Sequence, residues 1–145
     1  MPPSPYRIAV EESRLEDLRK RLDLATFPDE LEDAADWAYG SPLADVKRLT
    51  SYWRNDFDFR KVEAKLNELP NFETTITVDG FGDIELHFLH QPSSASDAVP
   101  LLFVHGWPGS YLEVTKMLAA LSTHNGVSFH VVAPSLPNFG WSAGQ

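Results

Sequence analysis

Two short stretches contain residue types whose spacing can do chemistry. The first is HGWPGS, His105 to Ser110, between the apolar run PLLFVHG and a segment with helical spacing. In an open α/β sheet, ligands bind at the carboxyl ends of the strands, where such a turn sits. Gly106 lets the backbone turn sharply, and Gly109 lets a helix start close to the strand. Pro108 fixes φ and removes one N–H donor. The Trp107–Pro108 bond is a candidate cis peptide, because X–Pro bonds tolerate cis and tight turns use it. The Trp107 N–H is left free to point into a pocket. A fixed N–H beside a helix start suits a developing oxyanion. His105 is read as shaping the loop, since a histidine at a strand end is commonly a hydrogen-bonded structural residue. Without a catalytic role, the same residues are a tight strand-to-helix turn.

The second stretch is GWSAG, Gly140 to Gly144, which matches the G-x-S-x-G pattern of a nucleophile elbow. An elbow needs a buried strand running directly into the serine and a helix immediately after it. Ser142 is preceded by PSLPNFGW, in which Pro134 and Pro137 break the strand and Gly140 loosens the loop. Ser142 is therefore assigned to a loop, not to a nucleophile.

Other constellations carry less. His87 and His90 are three apart on an expected strand, so they face opposite sides and are not expected to share a metal. Asp29, Glu30, Glu32, Asp33 and Asp36 read as a solvated acidic face. Trp37, Tyr39, Trp53, Phe57 and Phe59 are aromatic enough for a pocket wall, but their spacing favours core packing. No P-loop, G-x-G-x-x-G or H-E-x-x-H pattern is present. The net charge of −9 argues against nucleic acid and anionic membranes as partners. The absence of cysteine excludes disulfides, thiolate metal sites and cysteine nucleophiles, and fits a cytoplasmic protein. No segment approaches a membrane span of roughly 20 apolar residues.

The elements that must position the turn follow from periodicity. Eleven of the twelve Lys and Arg precede Asn71, and only Lys116 follows it. Length alone fits one domain, but composition and period change near NELPNF, dividing a helical part, 1–71, from a sheet part, 72–145. Tyr6, Ile8 and Val10 alternate as an extended arm. Ser13 and Glu16 form an S-x-x-E capping box for a helix from about Arg14 to Asp23. Ser41 is the expected N-cap and Pro42 the first residue of a second helix, with Leu43, Val46, Leu49 and Trp53 as its apolar stripe. Asp58 caps a third, which Pro70 stops. FETTITV and IELHFLHQ, joined by DGFGD, predict a hairpin. PLLFVHG predicts a strand buried on both faces. A helix is expected over 111–122, with Val114, Met117, Leu118 and Leu121 inward, and FHVVAPSL is the next strand. Strand, helix and strand make a βαβ unit with parallel strands.

LLFVHGWPGS, a helix, and then FHVVAPSLPNFGWS resemble the opening of an α/β-hydrolase of the epoxide hydrolase type. PYRIAVEESRLEDLRKRLDLATFPDEL, WAYGSPLADVKRLTSYWRNDFDFRKVEAKLNELPNF and DGFGDIELHFLHQ resemble the N-terminal epoxide hydrolase module. That module occurs in the microsomal-type branch and its soluble fungal and bacterial relatives. The resemblance covers essentially the whole chain. It implies an α/β fold: an α-helical N-terminal module followed by the first strands of an incomplete hydrolase sheet. It implies an epoxide as small-molecule substrate, opened to a vicinal diol without cofactor or metal, through an ester on an Asp nucleophile. It gives Trp107 one oxyanion-hole N–H, within a loop made by His105, Gly106 and Pro108. The hole acts when a water activated by His and Asp/Glu hydrolyses the ester, while two lid tyrosines protonate the epoxide oxygen. The resemblance places the nucleophile, that base and the lid tyrosines beyond these 145 residues. The chain alone is thus expected to be inactive. With a strand edge uncovered, it is expected to be poorly soluble or to assemble through that edge. A truncated, non-catalytic binding module is the alternative. A dehalogenase or esterase shares the HG-x-P loop but not the helical module.

Overall fold

The computed structural model describes residues 2–30, 37–38, 40–123 and 126–144. Its contacts form two units: Met1–Ile8 with Ala64–Gln145, and Ala9–Glu63. The change of period after Asn71 and the boundary between units at Glu63 do not coincide.

The first unit holds a five-stranded sheet, four of whose strands the sequence predicts; the short β1 is the addition. β1 (Ser4–Pro5) pairs antiparallel with β2 (Asn71–Val78), which forms a hairpin with β3 (Gly82–Gln91). Val78 pairs with Gly82, and Gly80 and Gly82 both adopt positive φ, which favours glycine at the turn. β4 (Val99–Leu102) and β5 (Phe129–Pro134) are parallel and joined through α4 (Leu118–Thr123), so the βαβ unit is present. The sheet order is β1-β2-β3-β5-β4. β5 therefore lies between an antiparallel and a parallel neighbour. Leu89, Tyr111, Val114, Leu118, Val131 and Ala133 form the core, with Leu101, Phe103 and Leu121 packed against it.

Two expectations in this unit are corrected. β4 is not buried on both faces: Leu101 and Phe103 pack on the core, whereas Leu102 is 64% exposed and Val104 51%. The cause is facial cover: alternate residues point to opposite faces, and among the described residues the face carrying Leu102 and Val104 has nothing packed over it. The expected helix over 111–122 is two pieces, a 3-10 turn at Tyr111–Val114 and α4. The Thr115 and Met117 N–H groups bond three residues back, to Leu112 and Val114, and the Thr115 hydroxyl donates to the same Leu112 carbonyl at 2.7 Å. Such bonding tightens the turn and offsets the stripe, leaving Met117 exposed.

The second unit holds α1 (Glu12–Asp23) and α2 (Leu43–Asn55), and α3 (Phe59–Leu66) begins in it. The capping box expected at Ser13 is absent: α1 starts two residues earlier than expected, and its N-cap, Glu11, makes no side-chain cap bond. Pro42, not Ser41, is the N-cap of α2, with ψ 138° and its carbonyl accepting the Val46 N–H. Asp58 caps α3, accepting the Lys61 N–H at 3.1 Å, which holds its carboxyl below the usual range. Trp53, Phe57 and Phe59 are not core residues. They line a groove with Leu15, Leu18 and Leu22 of α1, and Trp53 and Phe57 are exposed. Trp37 is exposed as well, while Tyr39, Glu32, Asp33 and Asp36 lie outside the described residues. Among the described residues no helix is long and apolar enough to cross a membrane, and no cluster of His, Cys, Asp or Glu is placed to hold a metal ion.

Candidate functional site

β4 is held to β5 up to Phe103, whose N–H donates to Val132 O at 2.8 Å, and the chain then turns at His105. His105 is buried although its neighbours Gly106, Trp107 and Pro108 are exposed. Its ring makes two hydrogen bonds. Nε2 lies 3.1 Å from the backbone nitrogen of Leu136, and Nδ1 lies 2.9 Å from the carbonyl oxygen of Gly106. The Phe139 ring packs edge-on against it, with centroids 5.3 Å apart. Two stretches distant in sequence, 105–106 and 136–139, thus meet on one imidazole.

Beyond Gly106 the turn opens to solvent. Trp107 is 85% exposed, and among the described residues its N–H meets no acceptor. The Trp107–Pro108 peptide is cis, as expected from the sequence. A Cβ on Gly109 would strike the Glu113 carboxylate and come 2.7 Å from the Gly106 carbonyl, so only glycine fits. Ser110 forms the capping box that Ser13 does not. Its Oγ accepts the Leu112 N–H at 3.3 Å, and the Glu113 carboxylate accepts the Ser110 N–H at 3.0 Å. The box caps a 3-10 turn of four residues, too short to carry much helix dipole. The individual N–H of Trp107, not a helix field, is what this turn offers a ligand.

Ser142 is fully engaged. Its Oγ donates to Ser135 O at 2.7 Å and accepts the His87 N–H at 2.9 Å. Behind it lies a buried polar cluster that periodicity did not reveal. Asn71 donates its amide protons to Leu66 O and Leu69 O, at 2.7 and 2.9 Å, which leaves Oδ1 as acceptor. His87 Nε2, 3.1 Å from that Oδ1, therefore carries the ring proton, and Ser135 Oγ donates to Nδ1 at 2.9 Å. The Tyr6 and Tyr111 rings pack edge-on against the imidazole. Burial lowers the His87 pKa from 6.5 to about 4, so the ring is neutral at physiological pH. Gly140, at φ +55°, passes so close that a Cβ would sit 2.5 Å from Ser135 Oγ. The available signal was a histidine inside the apolar run LHFL, since a buried polar side chain must find partners. His90 lies apart, its ring tilted against Phe72.

A parallel β4-α4-β5 unit with an open, glycine-bounded turn at the carboxyl end of β4 defines the class: this is the start of an α/β-hydrolase fold, and residues 99–145 match the family profile for that fold. Residues 3–114 match the profile described as epoxide hydrolase N terminus, and the chain belongs to the epoxide hydrolase family. A protein of Stigmatella aurantiaca named "Putative epoxide hydrolase" is 44% identical over 96% of this chain and 32% of its own length. Epoxide hydrolase 1 of Sus scrofa is 35% identical over 95% of the chain and 31% of its own. The solved Aspergillus niger epoxide hydrolase superposes with a TM-score of 0.80 at 29% identity, covering 100% of this chain and 38% of that one. The chain spans about a third of the length of these relatives.

Proposed function

We propose that the protein carrying this chain hydrolyses epoxides to vicinal diols without cofactor or metal, and that Trp107 supplies one oxyanion-hole donor from its backbone N–H. The observation that carries this is the unengaged Trp107 N–H on an exposed turn at the carboxyl end of β4. In this reading an Asp carboxylate beyond the residues named here attacks an epoxide carbon. The C–O bond breaks, its electron pair goes to oxygen, and that oxygen takes a proton from a lid tyrosine. An alkyl ester of the Asp results. Water, losing its proton to a histidine base, adds to the ester carbonyl, whose π pair becomes an oxyanion. The Trp107 N–H receives that charge; collapse breaks the bond to the diol oxygen, which takes the proton held by the histidine, and the carboxylic acid left behind returns its proton to the tyrosine and is a carboxylate again. A preorganised donor is worth more to this step than a mobile water, because it does not reorganise as charge forms.

Gly106 and Pro108 shape the turn and His105 supports it. The helical module, 1–71, and the start of the hydrolase sheet, 72–145, belong to the same reading. So does a small-molecule epoxide as partner, while self-association through an uncovered strand edge is expected of these 145 residues on their own. The absence of cysteine suits a cytoplasmic location. The test exploits the fact that only proline deletes a backbone N–H. With styrene oxide, Trp107→Ala keeps the donor and is expected to hydrolyse the ester intermediate near the wild-type rate. Trp107→Pro is expected to lose about 10²–10³-fold in that step. Absence of diol with the purified protein, or a Trp107→Pro variant as fast as Trp107→Ala, would sink the proposal.

A further inference from the structure

We infer that His105 is the positioning residue that aims the Trp107 N–H: its Nδ1–H holds the Gly106 carbonyl, and its Nε2 ties that peptide plane to the loop after β5 through Leu136. The inference rests on the reading of Trp107 as an oxyanion donor. It starts from which atoms must donate. A backbone N–H can only donate, so the Leu136 N–H, 3.1 Å from Nε2, fixes Nε2 as the acceptor. In the neutral ring the proton then sits on Nδ1, which lies 2.9 Å from Gly106 O and donates to it. Neither bond leaves the choice of tautomer open.

The consequence passes through a rigid unit. The Gly106–Trp107 peptide is trans, since Trp107–Pro108 is the cis bond recorded among the described residues. In a planar trans peptide the C=O and N–H point in opposite directions. A histidine that holds the Gly106 carbonyl on the buried side therefore turns the Trp107 N–H to the open side. The ring cannot easily drift, because it is 4% exposed and stacked edge-on by Phe139. The loop it leans on is fixed in turn: Ser135 and Ser142 are bound to the buried His87. Two buried histidines, His87 on β3 and His105 in the turn after β4, thus clamp 135–142, and His105 passes that rigidity to the candidate donor.

The experiment separates the two ring nitrogens. In His105→Asn, the amide NH2 can replace Nδ1–H on the Gly106 carbonyl but gives Leu136 no acceptor. In His105→Gln, the longer amide reaches the Nε2 position and leaves the Gly106 carbonyl unheld. Rapid quench of the protein with saturating styrene oxide, read by mass spectrometry, follows formation and loss of the ester. His105→Gln is expected to alkylate at the wild-type rate but hydrolyse the ester about tenfold to a hundredfold more slowly, so that ester accumulates and kcat and KM fall together. His105→Asn is expected to recover most of that loss. Equal hydrolysis rates in the two variants would overturn the inference. A second measurement does not depend on either variant folding: long-range 15N–1H correlation of the wild-type histidines. It should show the Nδ1–H tautomer for His105, and an Nε2–H tautomer would overturn the inference. If the wild type forms neither ester nor diol, the proposed function fails, and the tautomer alone still decides how the peptide plane is held.

Discussion

In the sheet unit Leu89, Val131 and Ala133 are wholly buried, whereas Leu15 and Pro42 are the buried residues among those described in the helical unit. This unit instead exposes Leu49, Tyr52, Trp53 and Phe57 and carries ion pairs whose side chains, Glu63 apart, are substantially solvated. Arg54 meets Asp23, and Arg60 meets Glu12 and Glu63 at 2.8 and 2.9 Å. The same division was visible as charge, with eleven of twelve Lys and Arg before Asn71. Exposed ion pairs contribute little to stability and buried apolar groups contribute most of it. The sheet unit should therefore hold the stability of the protein and the helical unit should follow it.

The strongest way to break that contrast is to hollow the sheet. Leu89→Ala should cost about 2–5 kcal/mol, through lost transfer energy and the cavity left behind. Leu49→Ala, on an α2 position 53% exposed, should cost less than about 0.5 kcal/mol. Urea midpoints check both, and hydrogen exchange locates them: amides of β3 and β5 should be the slowest in the wild type. Equal losses, or slower exchange in α1 and α2 than in β3, would refute the contrast.

Acid provides a second, slightly smaller perturbation of the same core. His87 is neutral when folded, with its pKa lowered to about 4 by burial, whereas in the unfolded chain it titrates near 6.5. As pH falls below 6.5 the unfolded state takes the proton first. His87 thus contributes stability that is complete above pH 6.5 and is lost as pH falls toward 4, about 3 kcal/mol across the window. Below pH 4 both states are protonated and this contribution stops changing. His87→Gln should flatten that part of the stability profile, at a fixed cost from the partners it leaves in Asn71 and Ser135. An unchanged slope between pH 6.5 and 4 would remove His87 as its source.

What the sequence made legible was whatever rests on local rules. The hairpin, the parallel strands and the cis bond at Trp107 follow from period, turn residues and proline chemistry. Context also separated Ser142 from a nucleophile elbow, and its two hydrogen bonds are those of a loop staple. Capping shows where local rules stop. S-x-x-E occurs at Ser13 and again at Ser110, yet only the second forms the box. At the first, Arg60 draws Val10 O and the Glu12 carboxylate to α3, and Glu63 accepts the Val10 N–H, so distant partners fix where α1 begins. The His87 cluster was hidden for the same reason. Its members, Asn71, Ser135 and Ser142, come from separate strands and loops, and no periodicity joins them. The exposure of β4 depended on which of its faces other elements cover, which a single strand does not encode.

The smallest expected effect lies in the helical unit and sharpens the contrast from the other side. Arg54 grips the Asp23 carboxylate with two nitrogens, and this hydrogen bonding holds the Asp23 carboxyl below its ordinary range. The pair joins α1 to the end of α2, so geometrically it is a good bridge. Both side chains are nevertheless solvated, and ordering them offsets much of their attraction. Arg54→Ala should return the Asp23 pKa to the ordinary carboxylate range in an NMR titration. The urea midpoint should stay within the scatter of repeat measurements, at low salt and at high salt alike. A drop comparable to that of Leu89→Ala would mean that the helices are held by charge as firmly as the sheet is by its core. The division drawn from burial would then be the wrong one.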